Sequence, residues 1–204
     1  PRMSAKGKEE RKLDPRVKRT RQLLQQALTD LMAEKSFQAI TVQDIAQRAT
    51  VNRVTFYAHF DGKFALLEYS IRALFQRRVR SELPEGAPFS TQNLERLILL
   101  VCETLDEMAG HCPPPRTQFE PLMEKQIKAE LCEILGAWLA EMPTGRSRRR
   151  PTPEQAAMIT SWAIYGAAVH WTQKERPEPA REFARRVLPS ILASLQPSGS
   201  LSIA

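Results

Sequence analysis

Between Thr41 and His59 the chain sets out side chains suited to hydrogen bonding against a surface rather than to turning over a substrate. Arg53, Thr55, Tyr57 and His59 fall within one short stretch, and Phe56 and Phe60 are interleaved with them for burial on the other side. Gln43 stands a few residues earlier. An arginine fork pairs bidentately with guanine O6 and N7, and a glutamine amide suits adenine or a phosphate. Thr41, Tyr57 and Lys63 are of types that donate to phosphate oxygens, Lys63 at a helix start where further amides point the same way. The chemistry indicated is recognition of bases and phosphates. No catalytic constellation competes with it. His59, His111 and His170 are the histidines of the chain and stand far apart, with no Gly-rich phosphate loop and no nucleophile elbow. Cys102, Cys112 and Cys132 form no CxxC pair, and their odd number argues for thiols in a reducing cytoplasm. His111 and Cys112 with Cys102 or Cys132 match no short zinc-ligand spacing, so neither a metal nor another cofactor is expected.

Two short helices must hold the recognition groups. Thr41 and Asp44 have the spacing of a capping box, in which the hydroxyl accepts from an early helical amide and the carboxylate reaches back. Val42, Ile45, Ala46 and Ala49 then recur at helical spacing as a buried stripe, leaving Gln43, Gln47 and Arg48 outward. The chain breaks around Thr50 and Val51, and Asn52 caps a second helix that buries Phe56 and Phe60. A short polar helix after so tight a turn is the pattern of a helix-turn-helix. Ahead of it, Asp14 and Pro15 start a helix that runs to about Lys35, with Leu24, Ala27, Leu28, Leu31 and Met32 buried. Phe37 and Ile40 close the small core. Behind it, a helix from Lys63 to about Arg80 buries Phe64, Leu67, Ile71, Leu74 and Phe75.

The run Ile40-Thr41-Val42-x-Asp44-Ile45-Ala46, followed by Val51-Asn52-Arg53-x-Thr55-Phe56-Tyr57-x-His59-Phe60-x-x-Lys63, resembles the N-terminal domain of the TetR family of bacterial transcriptional regulators. The resemblance covers about a quarter of the chain. It departs from the family at Val54, where Gly or Ala is frequent, and at Gly62, where Ser or Asn is frequent. It implies an all-α fold, with a three-helix helix-turn-helix domain followed by a larger helical ligand-binding and dimerisation domain. It also implies a homodimeric repressor on a palindromic double-stranded DNA operator, released by a small-molecule effector of apolar character. The DNA-binding set becomes Thr41, Gln43, Asn52, Arg53, Thr55, Tyr57, His59 and Lys63, with Arg19 and its neighbours Arg16, Lys18 and Arg21 on the backbone phosphates. The helix from Lys63 is the implied lever between the two domains.

Charge agrees with this division. The 204 residues carry a net +7, yet residues 1–80 hold 17 Lys and Arg against 8 Asp and Glu, while the remainder is slightly acidic. A basic head predicts DNA affinity that falls steeply with salt. With 42% hydrophobic residues, 8 Gly and long helical apolar spacing, the chain is expected to be all-α and to bury a real core. No run approaches about 18 apolar residues and no signal peptide is evident, so no membrane partner and a cytoplasmic location are expected. The expected division is a disordered basic tail at 1–13, a DNA-binding domain at 14–62 and an effector and dimerisation domain at 63–204.

In that larger part, residues 81–90 read as a linker, and a helix from about Thr91 to Ala109 contains the apolar run Leu97–Cys102, which calls for burial on most sides. One or two helices follow between Gln118 and Glu141, then a basic loop over 142–151. Thr152-Pro153-Glu154-Gln155 opens a helix that reaches about Lys174. A last helix from about Glu178 contains Pro189, which is expected to kink or split it. Phe75, Cys102, Leu105, Met108, Phe119, Met123, Trp138, Trp162 and Tyr165 are candidates to line an apolar pocket, with plain core packing as the alternative. Ile159, Ala163, Gly166, Ala167, His170, Val187, Ile191 and Leu195 are candidates for a subunit interface, with packing inside one chain as the alternative. A reading from another class is a helical interaction module that works through a protein partner and never uses its helix-turn-helix on DNA.

Overall fold

Asp14 accepts a hydrogen bond from the Arg16 amide at 2.8 Å and Pro15 presets the first helical φ, so helix α1 (Pro15–Glu34) starts where the capping residues place it. The computed structural model describes residues 14–84, 86–111, 120–141, 151–173 and 178–195. The expected disordered tail at 1–13, the basic loop up to 150, Cys112 and Phe119 lie outside the described residues, as do the side chains of 109–111. After α1 come a 3-10 turn (Phe37–Ala39), α2 (Val42–Arg48), α3 (Arg53–Tyr57), α4 (Lys63–Glu82), α5 (Thr91–His111), α6 (Glu120–Glu141), α7 (Pro153–Thr172) and α8 (Ala180–Leu195). Among the described residues there is no strand, and the fold class is all-α with an N-terminal helix-turn-helix. None of the described helices is long and apolar enough to cross a membrane.

The chain divides into two compact units, Pro1–Leu74 with Gly110–Met123 and Phe75–Ala109 with Glu124–Ala204, so the division falls inside α4. In the first unit α1 packs on α2, and α2 on α3. Leu24, Leu28, Ile40, Ile45, Phe56 and Leu66 are at most 1% exposed and form its centre. Burial of a side chain such as Phe56 stabilises the unit by about 2 kcal/mol. Phe64, expected in the buried stripe of α4, is instead exposed, because the inward positions of that first turn are taken by Leu66 and Leu67.

In the second unit Leu97, Ile98, Val101 and Cys102 of α5 are fully buried, which accounts for the apolar run. A single helix, α6, fills the span after residue 120 and buries Ile127, Leu131 and Leu135. Helix α7 begins with the expected capping box, Thr152 accepting from the Gln155 amide and Gln155 accepting from the Thr152 amide. Its residues Ala156, Ile164, Ala168 and Trp171 are buried, and it packs on α8, which buries Phe183, Leu188, Ile191 and Leu195. Helix α8 runs through Pro189 as one helix rather than splitting there. Pro189 is exposed, so the missing amide and the displaced carbonyl fall on the solvent side, where water satisfies the backbone.

Candidate nucleic-acid interface

Each part of the helix-turn-helix is held by a short-range bond that its sequence specifies. At the start of α2 the Asp44 carboxylate accepts from the Thr41 amide at 2.8 Å while the Thr41 hydroxyl accepts from the Asp44 amide. Lys35 donates to the same carboxylate at 2.9 Å. These bonds, Lys35 first, hold the Asp44 pKa down at about 2. Glu34 and Arg48 make a two-bond fork at 2.8 and 2.7 Å that ties the end of α1 to the end of α2, holding the carboxylate below its usual range and the guanidinium above.

Helix α2 ends in a Schellman arrangement: the Val51 amide donates to Ala46 O and the Thr50 amide to Gln47 O. Thr50 takes φ 57° to allow it, a left-handed conformation that a β-branched residue seldom adopts. Asn52 then accepts from the Thr55 amide at 2.7 Å and starts α3. Phe56 anchors α3 from beneath, in edge contact with Tyr57 and with its ring tilted against that of Phe60.

With the helix anchored this way, Arg53, Val54 and Tyr57 are left outside. Arg53 is exposed with its guanidinium 6.0 Å from the Tyr57 ring centroid, and Tyr57 is half exposed. Gln43 on α2 and Arg19 on α1 are exposed as well. Thr55 and His59 are half-buried, and burial, assisted by the Arg21 charge, lowers the His59 pKa, so the neutral imidazole is favoured. Asn52 is exposed but its side-chain oxygen serves the cap. Arg21, beside this group, is stacked between Phe60 at 5.8 Å and Tyr69 at 5.3 Å.

Lys63 corrects the expectation of a phosphate contact. Its ammonium donates to Phe37 O at 2.9 Å, Gln38 O at 3.0 Å and Ile40 O at 2.7 Å, and lies over the Phe37 ring. All three ammonium protons are committed to the connector between α1 and α2. Partial burial there lowers the Lys63 pKa. The lysine is a staple for the three-helix head.

In the second unit the structure separates the candidate residues. Phe75, Cys102, Leu105, Trp138 and Tyr165 are buried, and burial pushes the Cys102 thiol up to about 12. Met123 belongs to the other compact unit. Trp138 donates its indole N–H to Ala87 O at 2.8 Å and stacks edgewise on Phe89, so it pins the α4–α5 linker. Trp162 is no pocket residue: it is 59% exposed on α7, with the Lys128 ammonium over its ring. Ile159, Gly166 and His170 are exposed on the same helix and Ala163 and Ala167 are half-buried there. On α8 Val187 is half-buried, whereas Ile191 and Leu195 are buried against their own chain and offer a partner nothing. Met158, exposed on α7, went unnoticed in the sequence, although its spacing from Trp162 carried the signal.

A capped pair of short helices on a basic three-helix head defines a helix-turn-helix DNA-binding protein. Residues 24–69 match the family model for bacterial regulatory proteins of the tetR family. It is similar to the HTH-type transcriptional repressor DhaR of Mycobacterium sp. (strain GP1), 26% identical over 189 residues that cover 86% of this chain and 94% of that one. It is also similar to the uncharacterized HTH-type transcriptional regulator YxbF of Bacillus subtilis, 32% identical over 102 residues, 48% of this chain; the match spans 27% of that longer protein. In fold it resembles the fatty acid degradation regulator FadR of Bacillus halodurans, with a TM-score of 0.55, 18% identity and coverage of 91% of this chain and 98% of the other.

Proposed function

We propose that this regulator is a homodimeric repressor that lays α3 of each subunit in the major groove of a palindromic operator and is released by an apolar small molecule. The observation that carries the reading is α3 itself. Asn52 and Phe56 fix it from one end and from beneath, so Arg53, Val54 and Tyr57 stand outside a head that lies within the basic part of the chain, residues 1–80, which holds 17 Lys and Arg. In this reading Arg53 pairs with guanine, Gln43 and Tyr57 donate to bases or phosphates, Thr55 and His59 contribute from the half-buried edge, and Thr41 and Arg19 hold the backbone.

Dimerisation is supported by the outward face of α7. Met158, Ile159 and Trp162 are 49, 46 and 59% exposed, and Ala163, Gly166, Ala167 and His170 continue the stripe. A side chain added at Gly166 would meet nothing within 4 Å, so a second helix has room to approach there. Effector release is supported by the buried residues Phe75, Cys102, Leu105 and Tyr165, and by the continuity of α4, whose two halves belong to different units. Repression follows the name of the relative DhaR.

The test is selection of duplexes from a random pool by the full chain, followed by titration at several salt concentrations. The expected result is a palindrome with half-sites centred about 34–36 Å apart and affinity that falls on the order of a thousandfold between about 50 and 200 mM salt. Recovery of no preferred duplex, with salt-independent binding, would favour the reading in which the chain acts through a protein partner.

A further inference from the structure

The outward side of α3 is divided into a polar and an apolar edge. At about 100° per residue, with Phe56 pointing into the core, Arg53 and Tyr57 fall on one flank, about 60° and 100° round from it, and Val54 and Ala58 about 160° and 200° round, opposite the core. Arg53 and Tyr57 lie together on the polar edge, the guanidinium 6.0 Å from the ring. Val54 and Ala58 make the other edge, both exposed, and Val54 at 79% is more exposed than any other large hydrophobic residue described. A helical valine has essentially one χ1 rotamer, so this is a rigid apolar knob that binding need not order. The Asn52 cap and the buried Phe56 fix where it points.

We infer that Val54, with Ala58 beside it, reads a pyrimidine C5-methyl group, that of thymine, in each half-site; this rests on the reading of α3 as the groove helix. Among the groups that base edges present in the major groove, the thymine methyl is the apolar one, and the others are hydrogen-bond donors or acceptors. Valine pressed on a donor or acceptor would strip it of water and return no bond, so the knob selects for thymine and against the other bases. Consecutive helical residues are 1.5 Å apart along the axis and base steps 3.4 Å, so the thymine stands within about two base pairs of the guanine taken by Arg53.

The experiment uses the full chain and duplexes selected from a random pool, resynthesised with deoxyuridine in place of thymidine one position at a time, which removes the methyl and keeps every hydrogen-bonding group. Wild type is expected to lose about three- to tenfold in affinity at one thymine per half-site. Val54→Ala and Val54→Ser are expected to show a clearly smaller thymine-to-uracil penalty than wild type at that position, Ala58 keeping a remainder, and Val54→Ala to match wild type on uracil DNA. Because the side chain is exposed, both variants are expected to melt within a degree or two of wild type. A thymine-to-uracil penalty of equal size in wild type and Val54→Ala overturns the assignment, since the methyl would then act through duplex shape. So does a wild type that binds its selected duplex with no penalty at any position, a result that leaves the DNA-binding function standing. If selection recovers no duplex at all, it is the DNA-binding function that falls, and this inference with it.

Discussion

Lys63 has three carbonyl partners that lie 23 to 26 residues away in sequence, so a lysine at a helix start gives no local sign of them. Lys63→Met keeps the apolar stem and leaves those carbonyls without their donor. A loss of about 2 kcal/mol in thermal or urea unfolding is expected, with little change in the duplex affinity of the folded protein. An unchanged melting temperature with uniformly weakened DNA binding would restore the phosphate role. Arg53, by contrast, has its head outside the protein, so Arg53→Ala is expected to cost about 1–3 kcal/mol of specific binding and to relax base choice at one position, with stability unaffected. Competition with single-base operator variants measures this. Asp44 gives a pH signature. Its folded pKa, about 2, is depressed below the ordinary 3.8, so its stabilising effect is present above about 4 and is lost as the pH falls through 2. In acid titrations of melting temperature, Asp44→Asn is expected to lack that part of the wild-type decline.

Element by element, the capping chemistry was legible because it is local. Thr41 with Asp44 and Thr152 with Gln155 form the reciprocal bonds their spacing predicts, and Asn52 caps α3. Such boxes are read within one turn, and no distant residue has to be known. The turn between α2 and α3 was located in the sequence at Thr50 and Val51, but its left-handed φ at Thr50 was not, because threonine gives no sign of a conformation that disfavours it. Thr50→Gly is expected to raise stability by about 1 kcal/mol, the relief of strain exceeding the added chain entropy, and calorimetry of the variant checks it. Of the two outcomes that Pro189 allows, a kink or a break, α8 avoids the break. Proline interrupts a helix when the displaced carbonyl is buried, and burial is a property of the packed α8, where this position faces water.

For the molecule as a whole, α7 is the element with an apolar face on both sides. It carries apolar residues all around, Ala156, Ile164, Ala168 and Trp171 inward and Met158, Ile159 and Trp162 outward. Periodicity cannot rank two apolar faces of one helix, so the pattern alone leaves Trp162 open to either side. If the outward face pairs two chains, Ile159→Glu with Trp162→Glu is expected to yield monomers in sedimentation. These monomers should still fold, and they should lose the palindrome's advantage over a single half-site. A double variant that stays dimeric would place the interface elsewhere.

What the amino-acid order determined by itself was the set of helices, their caps, the aromatic anchor of the reading helix and the basic head that carries it. All of these follow from interactions between residues within a turn or two of one another, or from charge summed along the chain. Tertiary structure alone decided that Lys63 staples the connector, that Trp138 pins a linker 51 residues away, and which face of α7 is left to solvent. Those outcomes depend on which distant surfaces become buried together, and apolar packing is non-directional, so a linear pattern supplies the stripes without saying which of them meet.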